Sequence, residues 1–150
     1  MNDRNIHATL IKIKDITNFH IRDTTDADEI NFYSFAFDFL DLKYYGSQIK
    51  SPLFTLNRFS LMFVFNLKKD VTKLAILEAI NQYNLDTPLI KTELIRLRGK
   101  KLEINFSSDF INNDNEITQN QLEATVNILS ATPEDFGKHL TQRKIAFGQA

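Results

Sequence analysis

Three histidines, His7, His20 and His139, are the first residues that could hold a metal or move a proton. A zinc site needs three or four ligands gathered closely around one ion. None of the three stands in an HExxH or HxH spacing, so they read as helix-face or surface residues, and no metal is expected. The stretch Asn112-x-Asp114-x-Glu116 offers alternate oxygen ligands, as a calcium loop would. It lacks the glycine of the sharp turn and the distant bidentate glutamate. It therefore reads as an acidic, Asn-rich loop capping a helix. Lys91, Arg96, Arg98, Lys100 and Lys101 form a basic stretch that could meet RNA or a phosphate surface. Their solvated-face reading is stronger, because a hairpin places Glu103 opposite Arg96. No aromatic pair flanked by glycine marks an RNA-reading strand.

GxSxG, P-loop, Rossmann and CxxC patterns are absent. With 4 glycines in the chain, Gly46 and Gly99 among them, a phosphate-cradling loop is hard to build. Scattered acids define no acid–base pair without geometry. No catalytic residue, cofactor-binding residue or cofactor is expected.

The elements that would position any site follow from periodicity. Ile6, Leu10 and Ile13 are spaced for a short amphipathic helix, preferred over a strand through Thr9, Ile11 and Ile13, and residues 19–22 suit a short strand. Residues 23–29 are polar and acidic and read as an exposed turn. Over residues 30–42, Tyr33, Phe35, Phe37 and Phe39 alternate with Ser34, Ala36 and Asp38, which predicts a strand with a buried aromatic face. Residues 53–67 put Phe59, Leu61, Phe63, Phe65 and Leu67 on one face and Leu56, Met62 and Val64 on the other. A strand apolar on both faces is central in a covered sheet or part of a subunit contact. Leu56, Met62 and Val64 are thus the candidate partner or dimer surface. The Phe-rich strands read as core first and as the lining of a ligand cavity second.

Asp70 is placed to cap a helix over residues 71–84, with Leu74, Ile76, Leu77, Ile80 and Tyr83 as its apolar stripe and Asn84 as its stop. Residues 89–98 and 101–108 predict a hairpin turning at Gly99-Lys100, with Gly first as a type II′ turn prefers. That register pairs Leu97 with Leu102, Arg96 with Glu103 and Ile95 with Ile104, and leaves a bulge near Glu93. Thr118 and Gln121 fit a capping box with Ile117 and Leu122 at the staple positions. Leu122, Thr125, Val126 and Leu129 form the next stripe. Thr132-Pro133 reads as the start of a further helix carrying Phe136, Leu140 and Phe147 roughly on one face. Strands in consecutive runs joined by short turns favour an antiparallel sheet, so the expected class is α+β, in the order α-β-β-β-α-β-β-α-α.

Composition sets the outer bounds. A chain of 150 residues, 43% hydrophobic and 25% charged, fits one globular domain over residues 1–150. It has no cysteine, which excludes thiolate zinc sites, iron–sulfur centres and a cysteine nucleophile. No apolar run approaches the roughly 20 residues of a membrane span, and no signal-peptide core is seen, so a cytoplasmic protein is expected. A net charge of −1 argues against general nucleic-acid binding. Charge is uneven, however: residues 51–100 carry 8 basic and 4 acidic side chains, residues 101–150 carry 4 and 7.

Residues 46–140 resemble the YbjN-like family of small bacterial proteins, described as sensory transduction regulators. The likeness runs through FVFNLKKDVTKLAILEAINQYN, a long apolar strand, a short acidic turn and a helix closing on Asn81-Gln82-Tyr83-Asn84. Family members often have Trp where this chain has Tyr83. It continues through the strand KLEINFSSDF and the helix NDNEITQNQLEATVNIL. The chain departs from the pattern at Asn112-Asn113-Asp114-Asn115, where the family often has glycines, and over its first forty residues. The resemblance implies a fold similar to class I type III secretion chaperones, with Asn81, Tyr83 and Asn84 as a structural signature. It also implies a homodimer that binds polypeptide segments, and no catalytic residues. The expectation is therefore a non-enzymatic bacterial protein-binding adaptor, chaperone-like or regulatory. The alternative is a small-ligand-binding or enzymatic domain with a Phe-lined pocket.

Overall fold

Few glycines or prolines interrupt this chain, and its elements are correspondingly long. The computed structural model describes residues 3–27, 30–112 and 118–148. Their order is α1 (Asp3–Leu10), β1 (Ile16–Ala27), β2 (Ile30–Phe39), β3 (Leu42–Lys50), β4 (Thr55–Leu67), α2 (Lys73–Asp86), β5 (Lys91–Arg98), β6 (Lys101–Asn112), α3 (Gln119–Gln142) and β7 (Phe147–Gly148). The protein is α+β, with three helices and a seven-stranded antiparallel sheet among the described residues. The strands hydrogen-bond in the order β1-β2-β3-β4-β6-β5, and β7 pairs with β4. The chain divides into two compact units, Met1–Leu61 with Ser108–Ser130 and Met62–Ser107 with Ala131–Ala150.

In the first unit the predicted aromatic face of β2 is fully buried, with Phe35 and Phe37 at 0% exposure. The rings fill the layer against each other. Phe37 stacks on Tyr44 at 5.3 Å between centroids, and Phe35 meets Phe59 edge-on at 5.7 Å. These contacts make the aromatic face of β2 part of a packed core. Ile6 and Leu10 of α1, and Leu122, Val126 and Leu129 of α3, are buried as their spacing predicts, but α1 ends at Leu10 and Ile13 is buried in the turn that follows it.

Three expectations for this unit are corrected. The strand read over residues 30–42 ends at Phe39. Leu40 and Asp41 both have positive φ, 50° and 64°, and Phe39 pairs with Leu42 across them. That is a two-residue turn of the I′ kind, and it opens a strand, β3, that the expected order lacks. Most of the acidic turn is also strand: residues 23–27 continue β1 against β2, and residues 28 and 29 lie outside the described residues. The strand expected over residues 19–22 is correspondingly longer, twelve residues from Ile16.

In the second unit the cap of α2 is Thr72, not Asp70. Its Oγ1 accepts from the Ala75 N–H at 3.2 Å, which satisfies one of the first-turn donors. The helix runs past Asn84 to Asp86, where Thr87 closes it by donating its N–H to the Tyr83 carbonyl. Ile76, Ile80 and Tyr83 are buried as expected, but Leu74 and Leu77 are exposed and Ala79 takes their place inside. Gly99 (φ +59°) heads the hairpin turn. Leu97–Leu102 and Arg96–Glu103 pair as predicted, and the Arg96–Glu103 ion pair measures 3.5 Å. The next pair is Leu94–Ile104, so Ile95 is the bulged residue and not a partner of Ile104.

The two C-terminal helices are one, and Phe147, expected on the last helix face, lies beyond its end in β7. α3 is continuous from Gln119 to Gln142 with Pro133 inside it. Proline removes one backbone donor and disfavours helix before it, but a continuous buried stripe outweighs that cost. Val126, Leu129, Thr132, Phe136 and Leu140 recur at three- and four-residue steps, all buried. The capping box is present: the Gln121 N–H donates to Thr118 Oγ1 at 3.2 Å, and the Thr118 N–H donates back to Gln121 Oε1 at 3.1 Å. Ile117, the expected staple residue, lies outside the described residues.

Candidate functional site

The residues that could carry metal chemistry are committed elsewhere. The His7 ring stacks on Phe19 at 4.3 Å. His20 Nδ1 lies 3.0 Å from the Asn18 carbonyl, and His139 Nε2 lies 2.9 Å from the Ala79 carbonyl. A carbonyl only accepts, so in each pair the ring N–H is the donor. Asn112 is buried in a side-chain amide network with Asn57 and Gln121, while Asp114 and Glu116 lie outside the described residues. Among the described residues no three His, Asp or Glu side chains gather in a way that could hold a metal ion.

The candidate partner surface divides between the units. Met62 and Val64 are alternate residues of β4 in the second unit, 46% and 37% exposed, while Phe65 and Leu67 on the opposite face are buried. Leu56, in the first unit, is half-buried. The face of β4 that carries Met62 and Val64 is therefore not core. Of the signature residues, Asn81 is exposed and Tyr83 is buried. Asn84 binds the backbone of β5: its amide donates to the Thr92 carbonyl at 3.0 Å and accepts from the Thr92 N–H at 2.8 Å.

This contact marks a second feature, one that periodicity does not predict. β5 is the last strand in the hydrogen-bonding order, so among the described residues no strand pairs with its outer side. Asn84 occupies this edge at Thr92 as a neighbouring strand would. Further along, Leu94, Ile95, Arg96 and Leu97 of β5 face Lys73 and Leu77 of α2 across an open groove of about 380 Å³. The tight turn makes Arg98 and Lys101 a hydrogen-bonded pair. By alternation the N–H and C=O of Leu97 point away from β6. The groove walls are mostly apolar, and of its two cations Lys73 has no ion-pair partner among the described residues while Arg96 holds Glu103; Arg98, Lys100 and Lys101 belong to the neighbouring hairpin end. Among the described residues Lys73, Arg98, Lys100 and Lys101 enter no ion pair, whereas Lys91 holds Glu93 at 2.7 Å. The sequence signal was the adjacency of Leu94 and Ile95, which breaks period two where the bulge turns Ile95 outward.

The second unit is anchored by Phe136, which meets Tyr83 and Phe106 edge-on at 5.1 and 5.6 Å. Tyr83 donates its hydroxyl to Asp135 Oδ2 at 2.8 Å. Burial, then that hydrogen bond and the Asp135 charge, push the Tyr83 phenol far above the ordinary tyrosine range. In the first unit burial pushes Tyr44 up to about 12, opposed in part by the Ser130 side chain. No well-aligned hydrogen bond from a described residue reaches the Tyr44 hydroxyl, so desolvation decides the direction. A raised pKa means that the folded chain holds the proton more tightly. This stabilisation is complete below pH about 10, tyrosine's ordinary value, and is lost as the pH rises through the folded values. Urea titrations between pH about 9 and 11.5 should show stability falling, with each tyrosine contributing up to about 1.4 kcal/mol per pH unit. Tyr44→Phe and Tyr83→Phe should each remove one such contribution; an unchanged slope in both would contradict this account.

No known protein family matches this chain, and no curated protein sequence matches it either. Among solved structures, the crystal structure of an uncharacterized protein from Methanothermobacter thermautotrophicus is similar. The likeness covers 95% of this chain and 99% of that one, with a TM-score of 0.51 and 7% sequence identity. At that identity the similarity is one of fold alone: the chain shares its α+β architecture with an archaeal protein.

Proposed function

We propose that this chain is a non-enzymatic protein-binding adaptor that takes up a polypeptide segment in the groove between α2 and β5. The observation that carries the reading is the groove itself. It combines an uncovered strand edge, apolar walls from Leu77, Leu94, Ile95 and Leu97, and unpaired lysine at the rim. An extended segment beside an edge strand gains main-chain hydrogen bonds, and its alternate side chains gain specificity from such walls. Asn84 closes the edge at Thr92, which limits pairing to the stretch beyond it. The resemblance of residues 46–140 to the YbjN-like family supports the same reading. So does its implied likeness to type III secretion chaperones, which brings with it a bacterial, cytoplasmic homodimer. Met62 and Val64 supply an exposed apolar strand face for the contact between copies.

The test is affinity capture from the native lysate with wild type and with Ile95→Asp and Leu77→Asp, both at exposed positions. Wild type should retain one polypeptide near stoichiometry, and each variant should retain at least about tenfold less while melting like wild type. Wild type recovered alone, or variants that retain the same polypeptide equally, would refute the groove. In parallel, Met62→Asp should convert a dimer to a folded monomer by light scattering. A wild type that is already monomeric, or a Met62→Asp chain that stays dimeric, would remove the dimer argument.

A further inference from the structure

The outer face of β1 to β4 holds a separate concavity of about 540 Å³, within the roughly 300–1,000 Å³ range of small-molecule sites. It lies wholly in the first unit, on the side opposite the aromatic core. Its construction follows from register. Asp23 stands opposite Ser34, Ser34 opposite Ser47, and Ser47 opposite Arg58, so one row of side chains crosses four strands. Tyr45 and Ser60 face each other in the next row. Ser34, Ser47 and Ser60 therefore present their hydroxyls to one face from three adjacent strands.

The charges come from a bulge. Between Ile21 and Asp23 the pairing with β2 slips by one residue, and Arg22 is the extra one. Regular alternation would send Arg22 and Asp23 to opposite faces, yet both line the concavity. The Arg22 guanidinium carbon lies over the Tyr45 ring, 4.6 Å from its centroid, a cation–π contact that helps to hold the side chain at the concavity. Among the described residues Arg22 has no carboxylate partner, Asp23 has no cationic partner, and the hydroxyls of Ser34, Ser47 and Ser60 have no hydrogen-bond partner. Arg58 differs: Asp109 holds it through two bonds of 2.7 Å, so its charge is neutralised locally.

We infer that this concavity binds a small zwitterion of the α-amino-acid type. The ligand carboxylate pairs with Arg22, its ammonium pairs with Asp23, and the serine hydroxyls complete the hydrogen bonds of both. A simple anion would meet the Asp23 carboxylate as a like charge, and a simple cation would meet Arg22. A ligand carrying both charges can pair with the two groups together. The half-buried Phe32 ring offers an apolar wall for the ligand side chain. This site is independent of the α2–β5 groove.

The test is an amide-resolved NMR titration of the full chain with pools of free L-amino acids at about 10 mM each. Saturable shifts are expected at residues 22, 34, 47 and 60. N-acetylation of the bound amino acid, or conversion of its carboxylate to an amide, should each weaken binding at least about tenfold. Arg22→Gln and Asp23→Asn, both exposed, should do the same while the remaining resonances stay in place. The inference is overturned if no free amino acid gives saturable shifts at these residues, or if the blocked derivatives bind as well as the free ones. It is also overturned if glucose, tested as a neutral polyol, binds there at least as well as any amino acid.

Discussion

Gly46→Ala is expected to cost about 3 kcal/mol of stability, the upper part of the range for forcing one extra methyl into a packed interior. The reason is local and specific. A Cβ on Gly46 would stand 2.3 Å from both Cε2 and Cζ of Phe35. Gly46 and Phe35 are cross-strand partners, and the Phe35 ring covers the bare backbone of the glycine. That ring cannot step aside: it is fully buried and touches Phe19 and Tyr33 at 5.5 Å, Phe59 at 5.7 Å and Phe37 at 6.2 Å. Thermal melting should fall by about 10 °C, at roughly 2–4 °C per kcal/mol for a chain of this size. Phe35→Leu in the same chain should recover part of the loss, so that the double variant is more stable than Gly46→Ala alone. A melting point within a degree of wild type would show that the ring yields freely. The same glycine also lines the concavity on the other side of the sheet.

The Gly46 strand shows where periodicity runs out as a guide. β2 was legible because its inward positions are all aromatic. β3 was not, because its inward positions are Leu42, Tyr44, Gly46 and Gln48, a small residue and an amide among apolar ones. Its opening turn was hidden as well. Leu40 and Asp41 adopt left-handed backbone without the Asn-Gly or Asp-Gly pair that usually announces it, and Leu40 is turned out to solvent. The β5–β6 register was readable near the turn because two apolar pairs and a charge pair agreed. It failed at Ile95, where a bulge breaks the count and turns the side chain outward. Both surface features depend on such slips: Ile95 opens the groove beside α2, and Arg22 brings two charges onto one sheet face. A period-two reading treats each as noise. The continuity of α3 was missed for the opposite reason. A local rule, Pro133 at a helix start, was followed where the longer buried stripe governs.

Asn57→Ala is expected to be the other severe change, at about 3 kcal/mol or more, because it strands several buried groups at once. Asn57 is fully buried on the inner face of β4. Its Oδ1 accepts from Gln48 Nε2 at 2.8 Å, and its Nδ2 donates to Asn112 Oδ1 at 2.6 Å and to the Phe110 carbonyl at 3.3 Å. Asn112 in turn donates to Gln121 Oε1 at 3.2 Å, the oxygen that also closes the capping box of α3. One amide thus joins β3, β4, the end of β6 and the start of α3, all within the first unit. Loss of the side chain leaves Gln48 without its amide acceptor in a place water does not reach, and Gln48 Oε1 already lacks a partner among the described residues. Asn57→Asp separates hydrogen bonding from volume. The carboxylate keeps the shape but cannot donate to Asn112, and burial beside an acceptor oxygen raises its pKa. A raised carboxyl favours the protonated form in the folded chain. The deficit relative to wild type should therefore be complete above the raised folded value, shrink as pH falls, and be smallest below the ordinary aspartate value of about 3.9. Paired urea titrations of wild type and Asn57→Asp from neutral to acid pH would show that convergence. Parallel curves at every pH would mean that the donor to Asn112 contributes nothing and that volume alone holds this junction.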